Sequence, residues 1–255
     1  MERKPRVALL IDADNSPANK IDLILTELST FGETNIRRAY GNWKKPELKG
    51  WEEVLHEHAI RPMQQFDVSK GKNASDMAMT IDALDLLYTD RPDAYGLVSS
   101  DADFTPLVMH LRAKGAAVYG FGAPKTPEPF VNACSRFLFL NQLAAAGAPT
   151  AEVEGEAPST PAQAIRMPTA QLRQNTKLVS LLRNAVNAAL DDSGWARVGV
   201  VGQQIANQAS LDPRNYGYAT LTKLLVATQL FELSHEGTSQ VAVRDKRNAK
   251  AAKPA

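Results

Sequence analysis

The chain has 255 residues, a formal net charge of +1 and a composition that is 44% hydrophobic, as in ordinary globular proteins. Its single cysteine, Cys134, excludes an intramolecular disulfide and a thiolate zinc site, and it is typical of a reducing compartment. The first apolar run is too short to span a membrane, so we expect a cytoplasmic protein that does not engage a membrane. Residues 171–255 carry 11 basic and 6 acidic side chains, against 17 and 19 in residues 1–143. This split favours nucleic-acid attraction at one end and cation binding at the other, unless it reflects only a solvated basic tail.

Residues 1–143 alternate apolar runs of strand length with helical patterns. Buried strands are expected at 6–11 and 95–99, where the apolar run is continuous. On the helix expected at 75–88, the repeat of Met77, Ile81, Leu84 and Tyr88 predicts the apolar face. Further strands are expected at 36–40, 60–63, 116–121 and 137–140, and further helices at 17–28, 47–57 and 104–114. The alternation predicts an α/β fold, with a mostly parallel sheet and helices on both faces.

The remaining residues indicate three further segments. Residues 144–170 are rich in Ala, Pro, Glu, Ser and Thr without periodicity, which predicts a mobile linker. Residues 171–245 predict a small winged-helix domain, with three helices followed by two short strands. Residues 246–255 form a basic tail that we expect to be disordered.

Pairs of carboxylates end two of the predicted strands. Asp12 and Asp14 follow the first strand, and Asp101 and Asp103 follow a later one. Because the carboxyl ends of parallel strands meet at one edge of a sheet, these pairs are expected to lie close together, and Asp76 in the first turn of a helix can join them. Each acid alone could instead be a helix cap or interact with a helix dipole. Together they predict a site for Mg²⁺ or Mn²⁺, which prefer oxygen ligands and can activate water against a phosphodiester.

The segments that carry these acids resemble the signature of NYN domains over about residues 5–142. The matching segments are Ile11-Asp12-Ala13-Asp14-Asn15, Lys72-Asn73-Ala74-Ser75-Asp76, Ile81-Asp82-Ala83-Leu84 and Val98-Ser99-Ser100-Asp101-Ala102-Asp103-Phe104.

The resemblance to NYN domains implies a PIN-like, metal-dependent ribonuclease. It implies that Asp12, Asp76, Asp101 and Asp103 are the catalytic acids and bind Mg²⁺ or Mn²⁺. The usual pattern places an Asn two or three residues after the first Asp, which Asn15 fits. Asp14 is then an extra carboxylate beside the metal, with an open role. Asp82 lies about 120° around the helix from Asp76, so we expect it to be a supporting or solvent-facing residue.

Residues 173–245 are similar to LOTUS (OST-HTH) domains. The matching residues are Gly194-Trp195, Asp212-Pro213-Arg214-Asn215-Tyr216-Gly217-Tyr218, Leu221, Leu224-Leu225 and Phe231-Glu232-Leu233. The similarity implies an RNA-binding module, with Arg214, Asn215 and Tyr216 at the RNA, or alternatively a module that binds a protein partner.

Other residues near the acids suit RNA contact. Trp43 can stack on a base while Lys44 and Lys45 pair with phosphates, although a loop Trp can equally pack on its own domain. Lys70 and Lys72 precede Asp76 and suit steering of the RNA backbone, unless they are merely solvated. The resemblance also places Asn15 at the RNA.

The sequence therefore predicts a two-domain ribonuclease whose second domain holds the RNA. One alternative is a non-catalytic RNA-binding adaptor with an unused acidic site. Another is a haloacid-dehalogenase-type phosphatase with Asp12 as nucleophile and Asp14 as general acid, but Asn15-Ser16 departs from that pattern. The sequence indicates neither the natural RNA, nor the number of metals, nor the oligomeric state.

Overall fold

A computed structural model describes residues 3–66, 74–146, 166–235, 238 and 240–249. The chain divides into two units, residues 1–147 and 148–255. The predicted domain boundaries at 143 and 171 stay predictions, and most of the predicted linker lies outside the described residues.

Six strands form one parallel sheet in the first unit. In chain order they are β1 (Arg6–Asp12), β2 (Glu33–Gly41), β3 (Arg61–Gln64), β4 (Ala94–Val98), β5 (Ala117–Gly122) and β6 (Arg136–Phe139). The spatial order is β3-β2-β1-β4-β5-β6, and all neighbouring strands pair in parallel. The predicted α/β sheet is confirmed, with β1 at its centre.

Helices cover both faces of this sheet, as predicted. They are α1 (Ile21–Ser29), α2 (Lys49–Glu57), α3 (Ala74–Tyr88), α4 (Thr105–Ala113), α5 (Glu128–Ala133) and α6 (Leu140–Ala146). Helices α1, α2 and α6 enclose one apolar core, and α3, α4 and α5 enclose the other. Successive side chains of β1 enter different cores, Leu9 the first and Leu10 the second, because side chains alternate along a strand. Burial on both faces explains the continuous apolar run.

The apolar face predicted for α3 is wrong. Met77, Ile81 and Tyr88 are exposed, and the buried side of the helix carries Met79, Ala83, Leu86 and Leu87. Both sets have helical spacing, so the pattern cannot decide between them.

A polar contact helps to set the orientation of α3. Asp82 accepts hydrogen bonds from the Arg38 guanidinium and the Tyr40 hydroxyl, both on β2. Asp82 therefore anchors α3 to the sheet, so of the two roles expected for it the structure shows the supporting one and not the solvent-facing one.

The second unit combines helices with a small antiparallel sheet, as predicted. Its helices are α7 (Thr169–Gln174), α8 (Thr176–Ala188), α9 (Val198–Gln208), α10 (Leu221–Thr228) and α11 (Lys246–Ala249), and its strands are β7 (Ala196–Arg197), β8 (Phe231–Ser234) and β9 (Ala242–Asp245). The sheet order is β7-β9-β8. The helices and sheet enclose one core that includes Leu182 and Leu224.

The start of the predicted disordered tail is ordered. Residues 246–249 form α11, and the Arg247 guanidinium donates to the buried Asp245 carboxylate at 2.8 Å. The Arg183 side chain contacts the same carboxylate at 3.1 Å. Among the described residues, no helix is both long enough and apolar enough to cross a bilayer.

Candidate active site

The carboxyl ends of β1 and β4 lie side by side. Ile11 pairs with Val98, so Asp12 and Ser99 follow at neighbouring positions, and both are buried. The Asn15 amide donates to both oxygens of Asp12, at 3.2 and 3.0 Å, and the Ser99 hydroxyl donates to one of them at 3.0 Å. Burial raises the pKa of Asp12 despite these hydrogen bonds, and the charge of Asp14 adds to the increase. Asp12 is a fixed, desolvated carboxylate.

The turn after β4 positions the second pair of acids. The Ser99 hydroxyl also accepts a hydrogen bond from the Asp101 backbone amide at 3.1 Å. The Asp101 carboxylate then caps the short 3₁₀ turn Ala102–Phe104 by accepting from the Asp103 amide at 2.8 Å. One serine thus ties Asp12 to Asp101.

A glycine lets the neighbouring strand approach this turn. A Cβ atom at Gly122 would lie 2.7 Å from the Ser99 carbonyl oxygen, so a side chain would not fit there. The Ser100 hydroxyl accepts a hydrogen bond from the Ala123 amide at 2.8 Å and holds β5 against the turn.

Asp76 lies in the first turn of α3, near the other acids. Its Oδ1 atom is buried and has no hydrogen-bond partner among the residues that the structure describes. Burial, followed by the charges of Asp12, Asp101, Asp14 and Asp103 in that order, raises the pKa of Asp76 to about 6. Five carboxylates therefore share one electrostatic environment at the carboxyl edge of the sheet.

Asp14 is engaged by other side chains. The Lys45 ammonium lies 3.2 Å from its Oδ1 atom, and the Ser75 hydroxyl donates to its Oδ2 atom at 2.9 Å. Ser75 immediately precedes Asp76, so Asp14 links the end of β1 to the start of α3. These contacts give Asp14 a supporting position, which the sequence left open.

The donor set suits a hard divalent cation. All the side chains offer oxygen atoms, and the buried, partnerless oxygen of Asp76 lacks the compensation that a cation would provide. Within the described ranges, however, no three Asp, Glu, His or Cys side chains form a ready-made metal cluster. The residues fit such an ion chemically without being preassembled around it.

The residues predicted to contact RNA beside this site lie in mixed environments. The Asn15 side chain donates a hydrogen bond to Asp12, and the Lys45 ammonium donates one to Asp14. Trp43 is partly buried and packs against the first core. The Lys44 ammonium lies 5.0 Å from the centroid of the Phe66 ring. Lys70 and Lys72 lie outside the described residues.

Sequence reasoning missed Phe66. This aromatic side chain is exposed just beyond the end of β3, at the same edge of the sheet as the acids. An aromatic residue that follows a strand and precedes basic residues was the available signal.

The predicted RNA contacts of the second unit hold its own fold together. The Arg214 guanidinium donates twice to the buried Asp212 carboxylate, at 3.0 and 2.8 Å. The backbone N–H of Asn215 donates to the backbone carbonyl of Asp212 at 3.1 Å, and Tyr216 packs against the core. Arg244 lies 4.5 Å from the centroid of the Trp195 ring, a cation–π contact that the sequence did not indicate.

Parallel strands with carboxylates at their carboxyl edge, followed by a unit of helices and a small sheet, define a two-part protein of the α/β PIN-like class. The family model of the NYN domain matches residues 6–141, and that of the OST-HTH/LOTUS domain matches residues 173–243. The chain belongs to the NYN domain family and carries an OST-HTH/LOTUS domain after it. Both matches agree with the resemblances found in the sequence.

Individual relatives are distant. An uncharacterized protein of Methanocaldococcus jannaschii is 31% identical over 122 residues, which are 46% of this chain and 48% of that protein. The chain thus spans about half the length of that relative. A solved protein of unknown function from Vibrio parahaemolyticus has 20% identity and a TM-score of 0.45, covering 55% of this chain and 94% of the other. An uncharacterized protein from Nitrosomonas europaea has 28% identity and a TM-score of 0.25, covering 38% and 92%.

Proposed function

We propose that this protein is a Mg²⁺- or Mn²⁺-dependent ribonuclease that hydrolyses RNA phosphodiester bonds with its NYN domain and holds RNA with its OST-HTH/LOTUS domain. The observation that carries the proposal is the buried oxygen of Asp76, which lacks a hydrogen-bond partner in the described part of the chain and lies among four further carboxylates. Such a concentration of negative charge is costly without a cation, and it lies where open α/β sheets bind their ligands.

Asp12, Asp76, Asp101 and Asp103 would hold the ion. When bound, it would supply Lewis-acid polarisation of the phosphodiester and lower the pKa of the attacking water. The protein's contribution is orientation, because Asn15 and Ser99 fix the Asp12 carboxylate before any ligand arrives.

Asp14 acts in this proposal as a positioning residue rather than a metal ligand. Its two oxygens are occupied by Lys45 and Ser75. The Ser75 contact holds the first turn of α3, from which Asp76 projects. The ammonium of Lys45 offsets one of the five negative charges without filling the site.

RNA would approach over basic and aromatic side chains at the same edge. Phe66 can stack on a base while the adjacent Lys44 pairs with phosphate, and Trp43 lies one residue before Lys44. Lys70 and Lys72 keep their predicted steering role, as Arg214, Asn215 and Tyr216 keep theirs in the second domain. We place the protein in the cytoplasm because its one cysteine is a buried free thiol.

The test compares two matched substitutions in the full chain. Asp101→Asn is expected to abolish Mn²⁺-dependent cleavage of a mixed pool of RNAs while RNA affinity stays largely intact. Asp85→Asn changes an exposed carboxylate of α3 in the same way and is expected to cleave at the wild-type rate. Cleavage by Asp101→Asn at the wild-type rate would show that the site is wrongly assigned.

A second candidate function is the RNA-binding adaptor, which the match to the OST-HTH/LOTUS domain favours. Binding of several RNAs without turnover in both Mg²⁺ and Mn²⁺ would establish it. The phosphatase alternative gains no support from the NYN family membership. A covalent aspartyl-phosphate on Asp12 would be needed to revive it.

A further inference from the structure

The outer face of α3 is apolar and exposed. Met77, Ile81 and Tyr88 are 62%, 63% and 56% exposed, and Leu84 is partly buried between them. On the adjacent α4, Met109 is 62% exposed. The Tyr88 hydroxyl lies 3.1 Å from the ring nitrogen of His110, so the two helices form one continuous surface. We call Met77, Ile81, Leu84, Tyr88 and Met109 the α3 seam.

The α3 seam is larger than scattered surface residues would produce. With about 100 Å² exposed on each of its four open side chains, it amounts to roughly 400 Å², the size at which an apolar patch on a monomer is often functional. The intervals from Met77 to Tyr88 are four, three and four residues, which is the spacing of the contact positions in paired helices. The partner that fits this seam is another helix lying along it.

The spacing itself indicates which helix. Intervals of four, three and four read the same in both directions, so an antiparallel copy places Met77 opposite Tyr88 and Ile81 opposite Leu84. Such self-complementarity is what a two-fold interface requires.

Charge favours the antiparallel arrangement as well. The turn before α4 carries the exposed Asp103, and the helix ends with the exposed Arg112 and Lys114. Antiparallel copies bring the acidic end of each protomer towards the basic end of the other, whereas a parallel pair would juxtapose like charges. We propose that the protein forms a two-fold homodimer through antiparallel packing of the α3 seam.

The first experiment measures oligomeric state. Sedimentation equilibrium of the full chain is expected to show a monomer–dimer equilibrium in the micromolar range, because the apolar area is below that of most permanent dimers. Ile81→Glu is expected to weaken dimerisation at least about tenfold, since the charge would be buried unpaired. Val226→Glu alters a similarly exposed apolar residue of the second unit and is expected to leave dimerisation unchanged. Circular dichroism of both variants verifies that they are folded.

The second experiment tests the direction of packing by disulfide cross-linking. The only native cysteine, Cys134, is buried, so introduced cysteines report without background. An equimolar mixture of Met77→Cys and Tyr88→Cys proteins is expected to cross-link under mild oxidation. Neither protein alone is expected to do so, because like positions lie about 16 Å apart along antiparallel helices. A wild-type monomer at about 100 µM, a dimer unaffected by Ile81→Glu, or cross-linking of Met77→Cys with itself would each overturn the proposal.

Discussion

Replacing Asp76 by Asn should stabilise the metal-free NYN domain. The folded protein raises the pKa of this carboxyl from 3.8 to about 6, so the folded state binds its proton more tightly than the unfolded state. Stability is therefore lost as pH rises from about 4 through about 6, and it stays lower above that range. The Asn side chain carries no charge, so Asp76→Asn escapes this loss at neutral pH.

The size of the effect follows from the pKa. A shift of about two units corresponds to roughly 3 kcal/mol as an upper bound, and solvent screening at this half-buried side chain reduces it to about 1 kcal/mol. We expect Asp76→Asn to raise the free energy of unfolding by about 1 kcal/mol at pH 7.5 in EDTA, and by much less at pH 4.5. Mn²⁺ should stabilise the wild type and leave the variant nearly unchanged, because ligand binding to the folded state alone increases stability.

Urea unfolding followed by tryptophan fluorescence is the assay. A Trp195→Phe background confines the signal to Trp43 and Trp51, which both lie in the NYN domain. Asp85→Asn serves as the control and should alter stability at neither pH. A variant less stable than the wild type at pH 7.5, or equally shifted at both pH values, would show that the charge of Asp76 does not destabilise the folded domain.

Three further substitutions test individual contacts. Ser75→Ala should lower the cleavage rate several-fold and weaken Mn²⁺ binding without changing RNA affinity. A Mn²⁺ titration identical to that of the wild type would contradict the positioning role proposed for Asp14. Tyr40→Phe should cost about 1 kcal/mol in urea unfolding, because it removes one hydrogen bond to Asp82; no loss would contradict that anchor. Arg214→Ala should destabilise the OST-HTH/LOTUS domain by about 2 kcal/mol, because it removes two charged hydrogen bonds to the buried Asp212. Full stability with lost RNA binding, measured by fluorescence anisotropy, would show that Arg214 acts on the RNA and not in the fold.

Local apolar patterns in the sequence predicted the strands, but features that depend on contacts between distant residues could not be predicted. The apolar runs at 6–11 and 95–99 identified buried parallel strands, and their order along the chain sufficed to expect Asp12 near Asp101. The orientation of α3 was missed because it depends on Asp82 meeting Arg38 and Tyr40, more than 40 residues away. Two faces of that helix have apolar spacing, and no local signal chooses between them.

The roles of single polar side chains were equally hidden. In the sequence Asp14 is simply a further acid near the site, whereas in the structure Lys45 and Ser75 contact its two oxygens. Arg214 in a matched motif suggests a ligand contact, whereas its guanidinium faces Asp212 two residues earlier. In both cases the sequence showed a charged residue but not the residue that it contacts. Such contacts depend on side-chain geometry, which a sequence pattern does not encode.

The division of β1 between two cores has a mechanical consequence. Leu9 and Leu10 hold the same strand from opposite sides, and Asp12 is its last residue. A change of volume in either core would displace that strand end by a fraction of an ångström, because close-packed interiors transmit strain. Activity should therefore be sensitive to conservative substitutions in either apolar core, far from the acids. The substitutions that each core tolerates would then be limited by the position that Asp12 must keep at the end of β1.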